Sequence, residues 1–184
     1  MSAQPFLTDV KTLRERARQH IEEGAITATY GGDPVTAIKL LNDALATEIV
    51  CVLRYKRHYF MAKGIHAGPV ADEFLEHANE EQAHADRLAE RIVQLNGAPD
   101  LSPSGLLSRS HTEYVDAGDD LVAMIKENLV AERIAIDSYR EMATYFAGFD
   151  STTRRLLEDI QAEEEEHADD LADLLQHISK DIKR

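Results

Sequence analysis

An all-α fold, a four-helix bundle with an extra N-terminal helix, is what this 184-residue sequence predicts. Three observations carry that prediction. Only 9 Gly and 5 Pro punctuate the chain, and the long stretches between them are rich in Ala, Leu, Glu and Arg, which favour helix. Within those stretches apolar residues recur at alternating steps of three and four, the signature of one buried helix face. No alternating apolar run bounded by hairpin turns points to a sheet.

Taken in order, residues 1–32 form an N-terminal extension with a helical stretch over about 7 to 23, and residues 33–184 form the bundle. The extension mixes charges (Lys11, Arg14, Glu15, Arg16, Arg18, Glu22, Glu23), which favours a helix packed outside the bundle or a contact between subunits over a DNA-binding tail. Asp33-Pro34 opens the first long helix, with an acceptor side chain at the cap and proline in the first turn, and Gly64 closes it. Gly68-Pro69 opens the second, which runs to Asn96-Gly97. The third starts after Gly118, near Asp119, and ends by Gly148; the fourth begins at Asp150-Ser151 and continues close to the C-terminus. About 20 residues, Gly97 to Gly118, separate the second and third helices, whereas the other connections are short. Short links make antiparallel neighbours and one long link crosses the bundle, so the expected order is two hairpins joined by a crossover.

The chain carries 34 acids against 20 bases, a formal net charge of −14. Nucleic acid and anionic membrane both require a positive surface, so neither is an expected partner, while cations are. The single cysteine, Cys51, has no partner for a disulfide within the chain. That usage suits a reducing compartment, and with no signal-peptide pattern and no apolar run of about 20 residues the cytoplasm is the expected location.

Function is written on the buried stripes. In the first long helix the stripe reads Ile38, Leu41, Leu45, Glu48, Val52, Tyr55, Tyr59; in the third it reads Val122, Ile125, Leu129, Glu132, Ile136, Tyr139, Ala143, Phe146. Each holds one glutamate near its middle, with a tyrosine seven residues later. The second stripe, Val70, Phe74, His77, Glu81, His84, Leu88, and the fourth, Leu157, Ile160, Glu164, His167, Leu171, Leu174, Ile178, each contain a Glu-x-x-His pair. A separation of three puts both side chains on one helix face. Glu48 precedes Glu81 by 33 residues and Glu132 precedes Glu164 by 32, so each hairpin sets a single glutamate against a Glu-x-x-His pair. An ionised carboxylate costs several kcal/mol in a bundle core, and four together repel strongly. Two divalent cations balance the charge of Glu48, Glu81, Glu132 and Glu164, with neutral His84 and His167 each giving one nitrogen. This donor set suits iron or manganese. In the metal-loaded protein it leaves 30 acids against 20 bases to attract cations from solution.

Over roughly residues 34 to 178 the sequence resembles the ferritin-like superfamily, above all the bacterioferritins and Dps-like proteins with a bacterioferritin-type di-iron centre. The resemblance rests on Leu41-Asn42-x-x-Leu45-Ala46-x-Glu48, Glu81-Gln82-Ala83-His84-Ala85-Asp86-Arg87, Leu129-Val130-Ala131-Glu132-Arg133 and Glu164-Glu165-Glu166-His167. It implies a ferritin-like bundle in which Glu81 and Glu164 bridge two iron ions, while Glu48 and Glu132 are terminal ligands, each paired with a histidine. It also places Tyr55 beside the site, with Tyr139 in the symmetric position; either is a core aromatic bonded to a carboxylate, or a group that donates electrons or orients ligands. Gln82 replaces the methionine that ligates haem in bacterioferritins, so no haem is expected. The 17 residues after His167 leave no room for the fifth helix of 24-subunit cages, and a homo-oligomeric shell of 12 is favoured over a 24-mer or a dimer.

The expected activity is therefore ferroxidase: oxidation of Fe(II) by O2 or H2O2 at two iron ions per chain, for iron storage, detoxification and protection against oxidative stress. The alternative is a peroxidase or catalase-type enzyme using di-iron or di-manganese, without a mineral core. His77, one turn before Glu81, is read as a buried histidine bonded to a carboxylate in preference to a transient iron site. Cys51 is read as a small core residue in preference to a redox sensor. Glu80 and Glu163 are candidates to orient the histidines.

Overall fold

The computed structural model describes residues 8–65, 67–118 and 120–182, with side chains described as far as residue 178. Six α-helices are present, α1 (Val10–Arg16), α2 (Pro34–Met61), α3 (Ala67–Gln94), α4 (Leu106–Arg109), α5 (Leu121–Phe146) and α6 (Ser151–Ile182), and there is no strand among the described residues. The four long helices are those expected from the punctuation. Asp33 caps α2 by accepting from Val35 N and Thr36 N, with Pro34 behind it. Asp120 caps α5 by accepting from Val122 N and Ala123 N; Asp119, the expected neighbourhood of that start, lies outside the described residues. At the end of α3, Asn96 adopts a left-handed φ of 60°, and Gly97 N donates back to Ile92 O at 2.9 Å.

Gly97 tolerates nothing larger, because a Cβ there would lie 2.8 Å from Ile38 Cγ2 and 2.9 Å from Ile92 Cγ2. Gly97→Ala is expected to lower the unfolding free energy by about 1 to 3 kcal/mol, read from a urea midpoint at unchanged slope.

Helices α2 and α3 form one antiparallel hairpin and α5 and α6 the other. The connection between the hairpins lies along α2, and it contains a turn of 3-10 helix (Pro103–Gly105) followed by α4. Asp100 N donates to Asn42 Oδ1, His111 N to Thr47 Oγ1, Arg54 Nη1 to Glu113 O and His58 Nε2 to Asp116 O. The partners on α2 climb in the same order as the crossover residues they hold, so the crossover travels the length of α2. Leu106 of α4 packs on Ala46 and Val50.

The N-terminal extension corrects the sequence expectation. Instead of a continuous helix over about 7 to 23, residues 10–16 form α1 and residues 21–23 a single 3-10 turn; residues 1–7 lie outside the described part. The reason is burial. Helix α1 has no buried residue, and Val10 and Leu13 are half or more exposed, so no packed face sustains it beyond two turns. His20 then turns left-handed, with φ 49°. The extension docks further on, where Ile26 and Tyr30 meet the core and the Tyr30 hydroxyl donates to Asp150.

Two apolar clusters fill the bundle. One gathers Leu41, Leu45, Leu88, Ile92, Phe146 and Leu157; the other gathers Val70, Phe74, Met124, Ile125, Leu171 and Ile178. In sequence, the four charged stripe positions fall between these clusters on every long helix. No described helix is long and apolar enough to cross a membrane.

Candidate metal centre

Glu48 comes from α2, Glu81 and His84 from α3, Glu132 from α5, and Glu164 and His167 from α6; each is at most 3% exposed. They form two overlapping groups, Glu48–Glu81–His84–Glu164 and Glu81–Glu132–Glu164–His167, in each of which one ligand atom per residue lies within 4.8 Å of the others. Glu81 and Glu164 belong to both. That sharing is the arrangement expected of two bridging and two terminal carboxylates.

The donors converge with one hydrogen bond among them, between His84 Nδ1 and Glu48 Oε2. His84 Nδ1 sits 3.3 Å from Glu48 Oε2, 3.4 Å from Glu81 Oε2 and 3.2 Å from Glu164 Oε1. His167 Nδ1 lies 3.3 Å from Glu164 Oε2, 3.8 Å from Glu132 Oε2 and 3.9 Å from Glu81 Oε1. Yet both oxygens of Glu81, both of Glu164, Glu132 Oε2 and His167 Nδ1 are buried with no hydrogen-bond partner. Buried polar atoms are almost always paired, so six orphans facing one space fit a pair of cations there.

The remaining atoms of the same residues are tied down. Tyr55 Oη donates to Glu132 Oε1 and Tyr139 Oη donates to Glu48 Oε1, each across to the other hairpin. Each tyrosine thus occupies one oxygen of a terminal glutamate and leaves the other facing the centre. The histidines are held by the opposite helix of the α3–α6 pair: His84 Nε2 lies 2.6 Å from Glu163 Oε2, and His167 Nε2 lies 2.8 Å from Glu80 Oε2. An Nε2–H donated to a carboxylate fixes the ring and presents Nδ1 inward as the ligand atom. Arg87 Nη1 adds 2.8 Å contact to Glu163 Oε1. Burial works against the Glu163 anion, but the His84 bond and Arg87 outweigh it and hold the carboxyl below its ordinary range. Glu163→Gln, which keeps the shape and loses the charge, is expected to weaken metal binding about 10- to 100-fold, measured by equilibrium Mn(II) titration.

Protein groups alone divide the four glutamates into two kinds. Burial raises Glu81 and Glu164, the latter to about 8, with the neighbouring carboxylates pushing the same way. Burial is overcome at the terminal pair: His84 and Tyr139 hold Glu48 below its ordinary value, and His167 and Tyr55 hold Glu132 at about 2. Burial likewise opposes the imidazolium, but the facing carboxylates raise His84 well above its usual range and His167 to about 12.

Other sequence candidates also find places. His77 is buried, with Nε2 3.2 Å from Glu73 Oε1 and Nδ1 3.1 Å from the Tyr55 hydroxyl. Cys51 is buried beside Arg54 and Thr112, and burial pushes its thiol well up, which suits a core residue. Gln82 donates to Asp86 one turn on. Glu165 and Glu166 are exposed. What the sequence reading missed is the second buried face of α2, where Thr47, Arg54 and His58 clamp the crossover and Arg54 Nε donates to Asn128 Oδ1.

The model of the ferritin-like domain matches residues 38–180. A bacterioferritin-related protein from Bacteroides fragilis, described as a dodecameric thioferritin, is 36% identical in sequence and superposes with a TM-score of 0.79, covering 82% of this chain and 90% of that one. Bacterioferritin from Mycobacterium leprae is 31% identical over 138 residues, 75% of this chain and 82% of its own. A nutrient stress-induced DNA-binding protein from a Nostoc species is 29% identical over 171 residues, 92% of each chain. Four helices that bury two Glu-x-x-His pairs against two glutamates, within a match spanning most of the sequence, place this chain in the ferritin-like family.

Proposed function

We propose that the chain is a ferroxidase, oxidising Fe(II) with O2 or H2O2 and sequestering the ferric product. The observation that carries this reading is the pair of overlapping donor sets sharing Glu81 and Glu164, whose inward oxygens have no other partner. One Fe(II) is held by Glu48 and His84, the other by Glu132 and His167, and the shared glutamates lie on both. Two Fe(II) supply two electrons, which with two protons reduce O2 to H2O2 or H2O2 to two waters. The protein's part is positioning and charge. Glu163 and Glu80 orient the histidines, Tyr139 and Tyr55 orient the terminal glutamates, and apolar packing on either side keeps bulk water out.

Anaerobic Fe(II) titration followed by oxidant tests the reading. About two Fe(II) per chain should bind in the centre and oxidise together. Binding of none overturns it, and repeated peroxide removal without iron consumption would instead identify a peroxidase or catalase-type enzyme.

The assembly we propose is a cytoplasmic shell of 12 chains, supported by the dodecameric state of the 36%-identical Bacteroides fragilis protein. Twelve chains of 20.6 kDa give a particle of about 250 kDa, against about 40 kDa for a dimer, which light scattering separates at once. Despite the Nostoc relative's DNA-binding name, no retardation of DNA is expected at moderate salt, because a surface with an acid excess does not displace counterions from the phosphates.

A further inference from the structure

The centre leaves His77 without a role. This residue lies one turn before Glu81 on α3, is 1% exposed, and stacks on His167 with ring centroids 4.1 Å apart and 22° between planes. Its Nδ1 is 3.1 Å from the Tyr55 hydroxyl. That hydroxyl has one proton and gives it to Glu132, so the contact requires His77 Nδ1–H to donate to the phenolic oxygen. In the neutral ring the lone pair then sits on Nε2. It faces Glu73 Oε1 at 3.2 Å and Asp170 Oδ2 at 3.9 Å, and all three donor atoms lie within 4.8 Å of one another. A lone pair meeting two ionised carboxylates is repulsive, and a divalent cation among the three donor atoms removes that repulsion.

The surroundings add to that need. Burial raises the Glu73 carboxyl, and the charges of Asp170, Glu76 and Glu80 raise it further. Unlike the centre, this group reaches solvent, with the Glu73 side chain 28% and the Asp170 side chain 58% exposed. His77, Glu80 and His167 also have donor atoms mutually within 4.8 Å, so metal-ligating groups continue without a gap from Asp170 to the His167 half of the centre.

We propose that Glu73, His77 and Asp170 hold a third divalent metal ion at the α3–α6 face and load it into the half-centre of Glu132 and His167. One imidazole with two carboxylates favours Fe(II), Mn(II), Co(II) or Zn(II) over Mg(II) and Ca(II). The loading role rests on the ferroxidase reading; binding of the third ion does not.

Mn(II) is the probe, counted by equilibrium binding and located by anomalous diffraction. The wild-type protein should bind about three ions per chain, and E73Q/D170N, whose changes lie on partly exposed side chains, about two, both in the centre. E81Q should show the converse, keeping the ion at His77. Absence of that ion from the wild type, or its persistence in E73Q/D170N, overturns the third site. Absence of the central pair from the wild type overturns the reading of the centre instead. For loading, E73Q/D170N should slow Fe(II) oxidation several-fold at limiting Fe(II) and leave the saturating rate unchanged; an unchanged rate at limiting Fe(II) overturns that role.

Discussion

Glu81→Gln is expected to abolish paired metal binding and with it Fe(II) oxidation, lowering the rate by more than about a hundredfold, beyond what loss of a ligand's outer hydrogen-bond partner costs. Glu81 is shared by both donor sets, so one substitution weakens two ions at once. Glu48→Gln makes the contrast. It removes a terminal ligand from the His84 half and leaves Glu81, Glu132, Glu164 and His167 around the other, so one ion should still bind while the two-electron reaction fails. The fold should survive both changes. Among protein groups alone burial and the neighbouring carboxylates favour the neutral form of Glu81, and glutamine matches that form in size. The urea midpoint of metal-free E81Q is therefore expected within about 1 kcal/mol of wild type. Added Mn(II) should raise the wild-type melting temperature, because binding stabilises only the folded state, and raise that of E81Q much less. Equal metal content in E81Q and E48Q would mean that the glutamates are not divided into bridging and terminal pairs.

The candidate centre is legible in the sequence because its signal is periodic. Four helices each bury one narrow stripe, and a charged residue on such a stripe is conspicuous against Leu, Ile and Phe. The intervals from Glu48 to Glu81 and from Glu132 to Glu164 then locate them opposite one another. Harder to read was anything fixed by a single tertiary contact. The tyrosines are an example: spacing put Tyr55 seven residues after Glu48, but the bundle turns its hydroxyl to Glu132 on the other hairpin, and Tyr139 makes the reciprocal bond.

Helix α2 shows the other kind of blindness. It is buried on two faces, one against the bundle and one beneath the crossover, where Thr47, Val50, Cys51, Arg54 and His58 follow the same steps of three and four as the core stripe. That second stripe is present in the sequence, but three of its members, Thr47, Arg54 and His58, are polar, and nothing local reveals that a connecting segment with few apolar residues lies over them. The N-terminal extension failed differently. Helix-forming composition predicts helix wherever it occurs, yet a short helix persists only with a face to bury, and α1 has none.

Metal binding at this centre is expected to release close to four protons per chain at pH 7, and so to weaken steeply as pH falls. The six groups explain why. With protein groups alone, His84 and His167 are raised and carry protons, Glu81 is raised and carries one, and Glu164, at about 8, is mostly protonated at pH 7. Glu48 is lowered and Glu132 lies at about 2, so both are ionised there and need lose nothing. Two imidazolium charges against two carboxylates sum to zero. Two divalent ions against four carboxylates and two neutral imidazoles also sum to zero. Loading therefore exchanges protons for metal at constant charge inside a buried site, which avoids leaving net charge in the low-dielectric interior at either end of the reaction. Each group whose value is raised holds a proton that metal must displace, so affinity rises with pH through the neutral range. The climb should be steeper below Glu164's value of about 8 than above it, where Glu164 has already lost its proton. Mn(II) calorimetry in buffers of different ionisation enthalpy counts the protons directly. Release of two or fewer at pH 7 would show that the groups do not exchange one proton for each metal charge, and the constant-charge exchange would fail with it.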